Sequence, residues 1–342
     1  MAQFEKISLV GMGNPLLDLS VEVPDSLLTK YELKLASAVL AEEKHMGLYR
    51  ELVESYEVQY IPGGAAQNTI RVAQWMLPEV GLTGFLGAIG PDDFGDKLAA
   101  CVKRDSVDAR YHIDENAPTG TCAVLLNSGD RSLVANLGAA NKFVPTHLET
   151  EPARAMVESA RFFYVTSFFL TVSVDAILRI AKPAAESGKV MAMHLSTPFL
   201  VKCYGDQMVS VLTYCDYVFG TESAARAFGE KHGWGKDIGT VALKLAAMPK
   251  ASGTRARVVV FTRGEESTIV ASNGSTTEYK VHALPKSLLV DLNGSGDAFV
   301  GGFLSQLVQN EDIAKCVDAG HWATNVVIQR SGCTFPATCE YR

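Results

Sequence analysis

The chain contains no Gly-x-x-x-x-Gly-Lys-Ser/Thr string in any of its 342 residues, which excludes a P-loop nucleotide-binding protein. Metal-site spacings are missing as well. The seven cysteines (101, 122, 203, 215, 316, 333, 339) make no C-x-x-C pair, and the seven histidines make no H-E-x-x-H, so a zinc site is not expected. An odd number of scattered cysteines in a chain this long points to reduced thiols in a cytoplasmic protein. No long basic run occurs and the formal net charge is −7, which argues against a nucleic-acid polymer as partner. Small phosphorylated ligands stay open, because loops rather than net charge bind them. The most apolar stretch, 162–181, carries Asp175 and Arg179 and does not read as a membrane span. The first six residues have neither the basic nor the apolar region of a signal peptide. Internal repeats and low-complexity linkers are absent.

Hydrophobic residues make up 47% and charged residues 20% of the chain, enough for one large α/β domain with or without a smaller one. The most informative stretch is 291–302, Asp-Leu-Asn-Gly-Ser-Gly-Asp-Ala-Phe-Val-Gly-Gly. A buried strand is expected at Ser287–Val290 and a helix from Ala298 to Val308, so the glycines at 294 and 296 fall at a helix start. Backbone N–H groups turned inward there, with the positive end of the helix dipole, suit an anion or a developing negative charge. Asp297 would repel that anion unless it has a task, and accepting a proton from a hydroxyl that attacks a phosphoryl group is one. Ordinary turn chemistry, with Asp favoured in a first helical turn, explains the same letters.

An expected first strand, Ile7–Val10, leads to Gly11-Met12-Gly13-Asn14-Pro15-Leu16-Leu17-Asp18. The third glycine of a dinucleotide fingerprint is missing, and Pro15 spoils a helix start. Asn14 and Asp18 are either ligand-binding groups at a strand's C-terminal end or part of an Asx-type turn. Gly63-Gly64 opens an amphipathic helix in which Asn68 holds either a ligand or a neighbouring backbone. Strands at Cys122–Leu126 and Ser132–Leu137 flank the hairpin turn Asn127-Ser128-Gly129-Asp130, with Arg131 beside it. From about 155 the pattern becomes strand, helix, strand, helix: Phe162–Val165, Val174–Ala185, Val190–Leu195, Phe199–Leu212, Tyr217–Phe219, Ser223–Lys231 and Val258–Thr262. A hairpin-like region at Ser267–Val281 and a helix from about Ile313 to Arg330 complete it. Such alternation implies parallel strands with helices on both faces. Segments 18–62 and 118–138 break the rhythm and read as inserts forming a small separate sheet.

At the level of whole motifs the chain resembles the adenosine kinases, within the ribokinase-like family of carbohydrate and nucleoside kinases, and most nearly their plant-like forms. The likeness runs through Gly11–Asp18, Gly63–Asn68, Val72–Met76, Pro118–Cys122, Phe168–Val172, Asp291–Gly302 and Gln329–Pro336. It implies a mainly parallel sheet wrapped by helices (1–17, 63–117 and 139–342) under a small β lid (18–62 and 118–138). It also implies phosphorylation of the 5′-hydroxyl of adenosine with ATP and Mg²⁺, by a monomer. Asn14 and Asp18 match residues that hold the ribose hydroxyls, with Gly63, Gly64 and Asn68 beside them. Leu16, Leu40, Cys122, Leu133, Ala135, Leu137 and Phe169 match the apolar lining around the purine. Asn293, Gly294 and Gly296 match the anion hole, Asp297 the base, and Arg131 a lid arginine that reaches the transferred phosphate. Thr262, Gly264 and His321 fall where the family holds ATP. Three positions depart from the family pattern: His194 and Thr221 stand in place of asparagines and Ala224 in place of a glutamate, leaving Glu222 as a candidate near the metal. The alternatives are another sugar or nucleoside kinase of the family, or a nucleoside-binding protein without turnover.

Overall fold

The computed structural model of the chain describes residues 7–35, 37–127, 130–251 and 255–341. The first six residues and the tip of the 127–130 hairpin turn lie outside them. β1 (Leu9–Met12) runs into β2 (Leu16–Glu22), followed by α1 (Asp25–Lys30), β3 (Ala38–Leu40), α2 (Met46–Ser55), β4 (Gln59–Gly63) and α3 (Ala65–Met76). Next come β5 (Thr83–Ile89), α4 (Asp93–Arg104), β6 (Asp108–Ile113), β7 (Thr121–Asn127) and β8 (Asp130–Asn136). The alternating part holds α5 (Glu151–Ser159), β9 (Phe162–Thr166), α6 (Val174–Glu186), β10 (Val190–His194), α7 (Pro198–Cys203) and α8 (Gly205–Leu212). It continues with β11 (Tyr217–Thr221), α9 (Glu222–Lys231), α10 (Ile238–Ala246), β12 (Val258–Arg263), β13 (Glu266–Ser272) and β14 (Ser275–Tyr279). Helices α11 (Ser295–Val308) and α12 (Ile313–Val327) close the chain.

Nine strands form the large sheet in the order β14-β13-β12-β11-β10-β9-β1-β5-β6, parallel except for the antiparallel β12-β13-β14 edge. Its inner strands β5 and β9 are buried at every position, as expected where helices cover both faces. Five strands make the small sheet, in the order β3-β8-β7-β2-β4. Alternation gives that sheet two unlike faces. Leu17, Leu19, Val21, Ala123, Leu125 and Val134 are buried together with Leu48, Tyr49 and Leu52 of α2. Ile61, Asp18, Cys122, Ala135 and Leu40, paired rung to rung, form one continuous row across the other face.

Several expectations need correction. The segment 287–290 is no buried strand: it begins inside a 3-10 turn at Lys286–Leu288, and Val290 is 64% exposed. The amides of Val290 and Asp291 bond to the Ile328 carbonyl at the end of α12, at 2.9 and 3.1 Å, and not to a sheet strand. The helix expected over Phe199–Leu212 is two, α7 and α8, meeting at Tyr204. The first strand lies two residues later than its apolar run suggested, and the last helix stops at Val327.

Candidate active site

Helix α11 is preceded by Gly294 at its N-cap, which adopts φ 75°, a left-handed conformation that favours glycine. The first i→i−4 bond of the helix runs from the Ala298 amide to the Gly294 carbonyl, 2.7 Å. The amides of Gly296 and Asp297 precede it and are therefore not used within the helix. A Cβ added at Gly296 would meet nothing within 4 Å, so the chain itself does not demand glycine there. Asp297, in the first turn, accepts a hydrogen bond from Asn68 Nδ2 at 3.1 Å. Burial pushes its carboxyl up to about 7, with the Asn68 bond acting against the rise.

Asn68 reaches this position because α3 starts at a glycine pair. Gly64 has φ 90°, and a Cβ there would lie 2.1 Å from the Asn14 carbonyl oxygen. A Cβ at Gly63 would collide with the Asp18 carboxyl at 2.4 Å. Close packing thus explains both glycines, and the same packing seats Asp18. Burial raises Asp18 to about 7 as well; the Arg131 and Arg71 guanidinium groups oppose that, while Asp291 and Asp297 add to it. Asn14 donates through Nδ2 to the Ala140 carbonyl at 3.2 Å and to Asn141 Oδ1 at 3.1 Å. Its own Oδ1 is buried and has no partner among the described residues. That pattern differs from an Asx turn, which would use the side-chain oxygen.

A cavity of about 110 Å³ lies between the small sheet and the α11 loop, lined by Asp18, Ser20, Ile61, Asn68, Cys122, Val124, Arg131, Leu133, Asn293, Gly294, Gly332 and Cys333. Every one of its small-sheet residues except Arg131 belongs to the row described above or to the next one. Of the apolar candidates, Cys122 and Leu133 line this space, and Leu16, Ala135 and Leu137 are half-buried outside its lining. Leu40 is 64% exposed on the edge strand β3, and Phe169 is fully buried against Phe143, ring centres 5.5 Å apart. Arg131, expected to face a phosphate, is paired instead with Asp291, and its Nη2 donates to Ser331 Oγ at 2.9 Å. Asp291 also accepts from the amides of Gly332 (2.7 Å) and Asn293 (2.9 Å). The small sheet is thereby fastened to the loop ahead of α11.

On the other side of that loop opens a larger cavity of about 910 Å³, at the C-terminal ends of β11 and β12, where open α/β sheets bind ligands. Thr262, Gly264 and His321 line it, with Ser295, Gly296, Leu289, Leu292 and Asn325. His321 Nε2 is hydrogen-bonded to Thr268 Oγ1 at 2.8 Å, and burial holds its pKa down to about 4, so the ring is neutral. Loop 293–296 is the wall the two cavities share.

Two of the three departures have local bonding roles, and the third, Ala224, is fully buried in the first turn of α9. Thr221 caps α9, its Oγ1 accepting from the Ala224 amide at 3.3 Å. His194 Nδ1 accepts from the Ser196 amide at 2.8 Å, and burial lowers its pKa to about 4. Glu222 lines the larger cavity with its carboxylate paired to Arg226. Among the described residues no group of three or more His, Cys, Asp or Glu is placed to hold a metal ion. Mg²⁺ does not need such a cage, since it keeps several waters and travels on nucleotide phosphates.

Sequence reasoning missed Arg71, Asp291 and Ser331. The signal for Arg71 was present, a cation between Ile70 and Val72 on a helix whose neighbours are apolar. Asp291 was visible only as the first letter of the loop, because its partner lies 160 positions away.

The chain thus combines a doubly covered α/β sheet, a small second sheet and a glycine-led helix start that separates two cavities. The profile of the pfkB family carbohydrate kinases matches residues 25–339, and the chain belongs to that family. Within it, the chain sorts with the adenosine kinases. It is 49% identical to adenosine kinase 2 of Arabidopsis thaliana over 334 residues, 97% of each chain. Among solved structures, the Anopheles gambiae adenosine kinase in complex with P1,P4-di(adenosine-5) tetraphosphate superposes with a TM-score of 0.85 at 41% identity, covering 96% of this chain and 98% of that one. The Schistosoma mansoni adenosine kinase in complex with 2-fluoroadenosine gives 0.88 at 32% identity, covering 97% and 98%.

Proposed function

We propose that the chain transfers the γ-phosphoryl group of ATP to the 5′-hydroxyl of adenosine, forming AMP and ADP, with Asp297 as general base. The observation that carries this reading is the shared wall: one glycine loop and one helix N-terminus separate a small polar cavity from a large one, with the Asp297 carboxyl beside them. The nucleoside belongs on the small-sheet side. There Asp18 and the unpartnered Asn14 Oδ1 offer acceptors to ribose hydroxyls. ATP, carried as its Mg²⁺ complex, belongs in the large cavity with its phosphates toward Gly296. As the hydroxyl oxygen bonds to the γ-phosphorus, its proton passes to Asp297 and the bond to the β–γ bridging oxygen breaks. The amides at the start of α11 meet the charge on the transferred group. Positioning and charge stabilisation dominate such loose transition states. Arg131 would leave Asp291 for the phosphate. A lid role for the small sheet, working as a monomer in the cytoplasm to return adenosine to the nucleotide pool, completes the proposal.

AMP formation from adenosine and Mg-ATP tests it, with Asp297→Asn alongside. The unaltered protein should turn over, and the variant should lose about 10²- to 10⁴-fold in kcat. A second reading, a nucleoside binder without turnover, is favoured by the wall at β11 and α9, where Thr221 is spent on capping and Glu222 on Arg226. Adenosine binding with no AMP would decide for it.

A further inference from the structure

Arg71 occupies a position that suits an apolar residue: it is only 3% exposed, on the buried side of α3. A buried cation persists where its donors are met. Its Nε donates to Asp105 Oδ2 at 2.6 Å. Its Nη1 is shared by three oxygens, the carbonyls of Pro62 (3.0 Å) and Cys333 (3.1 Å) and the side-chain Oδ1 of Asn68 (3.1 Å). Phe335 lies over the guanidinium at 5.3 Å. Asn68 and Arg71 are one turn apart on the same helix and so face each other.

A guanidinium has donors and no acceptor, whereas a carboxamide has one of each end. The Asn68 atom facing Arg71 is therefore its oxygen, and the amide nitrogen is left to face Asp297 Oδ2. Turned over, the amide would set its nitrogen against a cation and its oxygen against a carboxylate.

We propose that Arg71 is a positioning residue for the phosphoryl transfer: it locks the Asn68 amide so that a donor, rather than an acceptor, meets the Asp297 carboxylate. The inference rests on the reading of Asp297 as the base, and Arg71 itself touches neither substrate. The locked donor favours ionised Asp297 against the burial that raises it. The other groups that act there are Asp18 from β2, Tyr164 from β9 and Cys333 from the C-terminal segment; Arg131, Arg71 and Asp291 act in turn on Asp18, and Arg71 also acts on Cys333. None of these depends on the orientation of the Asn68 amide.

Arg71→Lys is the informative variant. It keeps a charge beside Asp105 but, with one compact ammonium, cannot span Asp105 and Asn68 together. The measurement is a ¹³C NMR titration of the aspartate carboxyls, with the Asp297 signal assigned through Asp297→Asn. In Arg71→Lys the Asp297 midpoint should rise by about one pH unit. The acidic limb of kcat should move with it, while KM for adenosine changes less than kcat at neutral pH. Asn68→Ala should raise the midpoint too, and the double variant should raise it no further, because both act through one amide. An unmoved midpoint in folded Arg71→Lys, or shifts that add in the double variant, would overturn the proposal. Should Arg71→Lys fail to fold, Arg71→Met with Asp105→Asn removes both charges and faces the same two tests. If the unaltered protein made no AMP while the midpoint moved as expected, the kinase reading would fall and the lock on Asn68 would stand.

Discussion

Two carboxyls, Asp18 and Asp297, are raised by burial to about 7 in the same small volume, and this has consequences in both activity and stability. Each disfavours ionisation of the other, so they titrate as a pair. A base works only when ionised. Activity on adenosine, measured as kcat/KM, should therefore rise as pH is brought up through about 7 and level off above it, whereas a base at the ordinary carboxylate pKa would give a flat profile there. The stability effect runs the other way. A carboxyl whose folded pKa lies above its unfolded value stabilises fully at low pH and loses that contribution as pH rises from the unfolded value through the folded one. Asp297→Asn should accordingly raise Tm at pH 8 more than at pH 4, in thermal melts of the two proteins side by side, while abolishing most turnover. Asp297 stood out in the sequence by its place after a glycine at a helix start, and Asp18 as a short polar group near the C-terminal end of an expected strand. Their proximity did not, since it depends on β2 and α11 being brought together by the whole fold.

The two glycine-led helix starts are built alike and held for different reasons. At α3 the glycines are demanded by the chain: Gly64 has φ 90° and the Asn14 carbonyl within 2.1 Å of its missing Cβ. Gly64→Ala should destabilise by about 1–3 kcal/mol from the backbone conformation alone, seen as a lowered denaturation midpoint. At α11 the space beside Gly296 is clear and opens on the larger cavity. Gly296→Ala should leave the denaturation midpoint unchanged while kcat/KM for ATP falls about 10- to 100-fold, the scale expected of a small displacement in a positioned substrate. Periodicity made the helices and the alternating strands legible, because each is written in its own local letters. It failed at 287–290, where Leu288, Leu289 and Val290 look like a core strand and are exposed. Apolar letters report an appetite for burial and not whether a partner strand is available, and two of the leucines nearby line the nucleotide-sized cavity instead.

At the scale of the molecule, the Arg131–Asp291 pair and the Arg131–Ser331 bond tie the small sheet to the segment that leads into α11. The cavity beneath it is about 110 Å³, and under the proposed function the sheet lifts from that segment to admit the nucleoside. Asp291→Asn weakens the tie. Hydrogen exchange at the amides of β7 and β8 should then quicken by about tenfold or more, since each 1.4 kcal/mol of lost hold is a decade in opening, and adenosine should bind with a faster on-rate. This tie was out of reach of sequence pattern, because a charge pair separated by 160 positions leaves no local trace; what was readable was that a second, smaller sheet exists. The row Ile61, Asp18, Cys122, Ala135 and Leu40 runs straight across that sheet, one rung per strand. A protein engineer seeking acceptance of modified bases would find in its apolar members a compact library: codons scattered over some 95 positions, one row in space interrupted by Asp18, and a reverse face whose packing on α2 keeps the strands in register whatever the row displays.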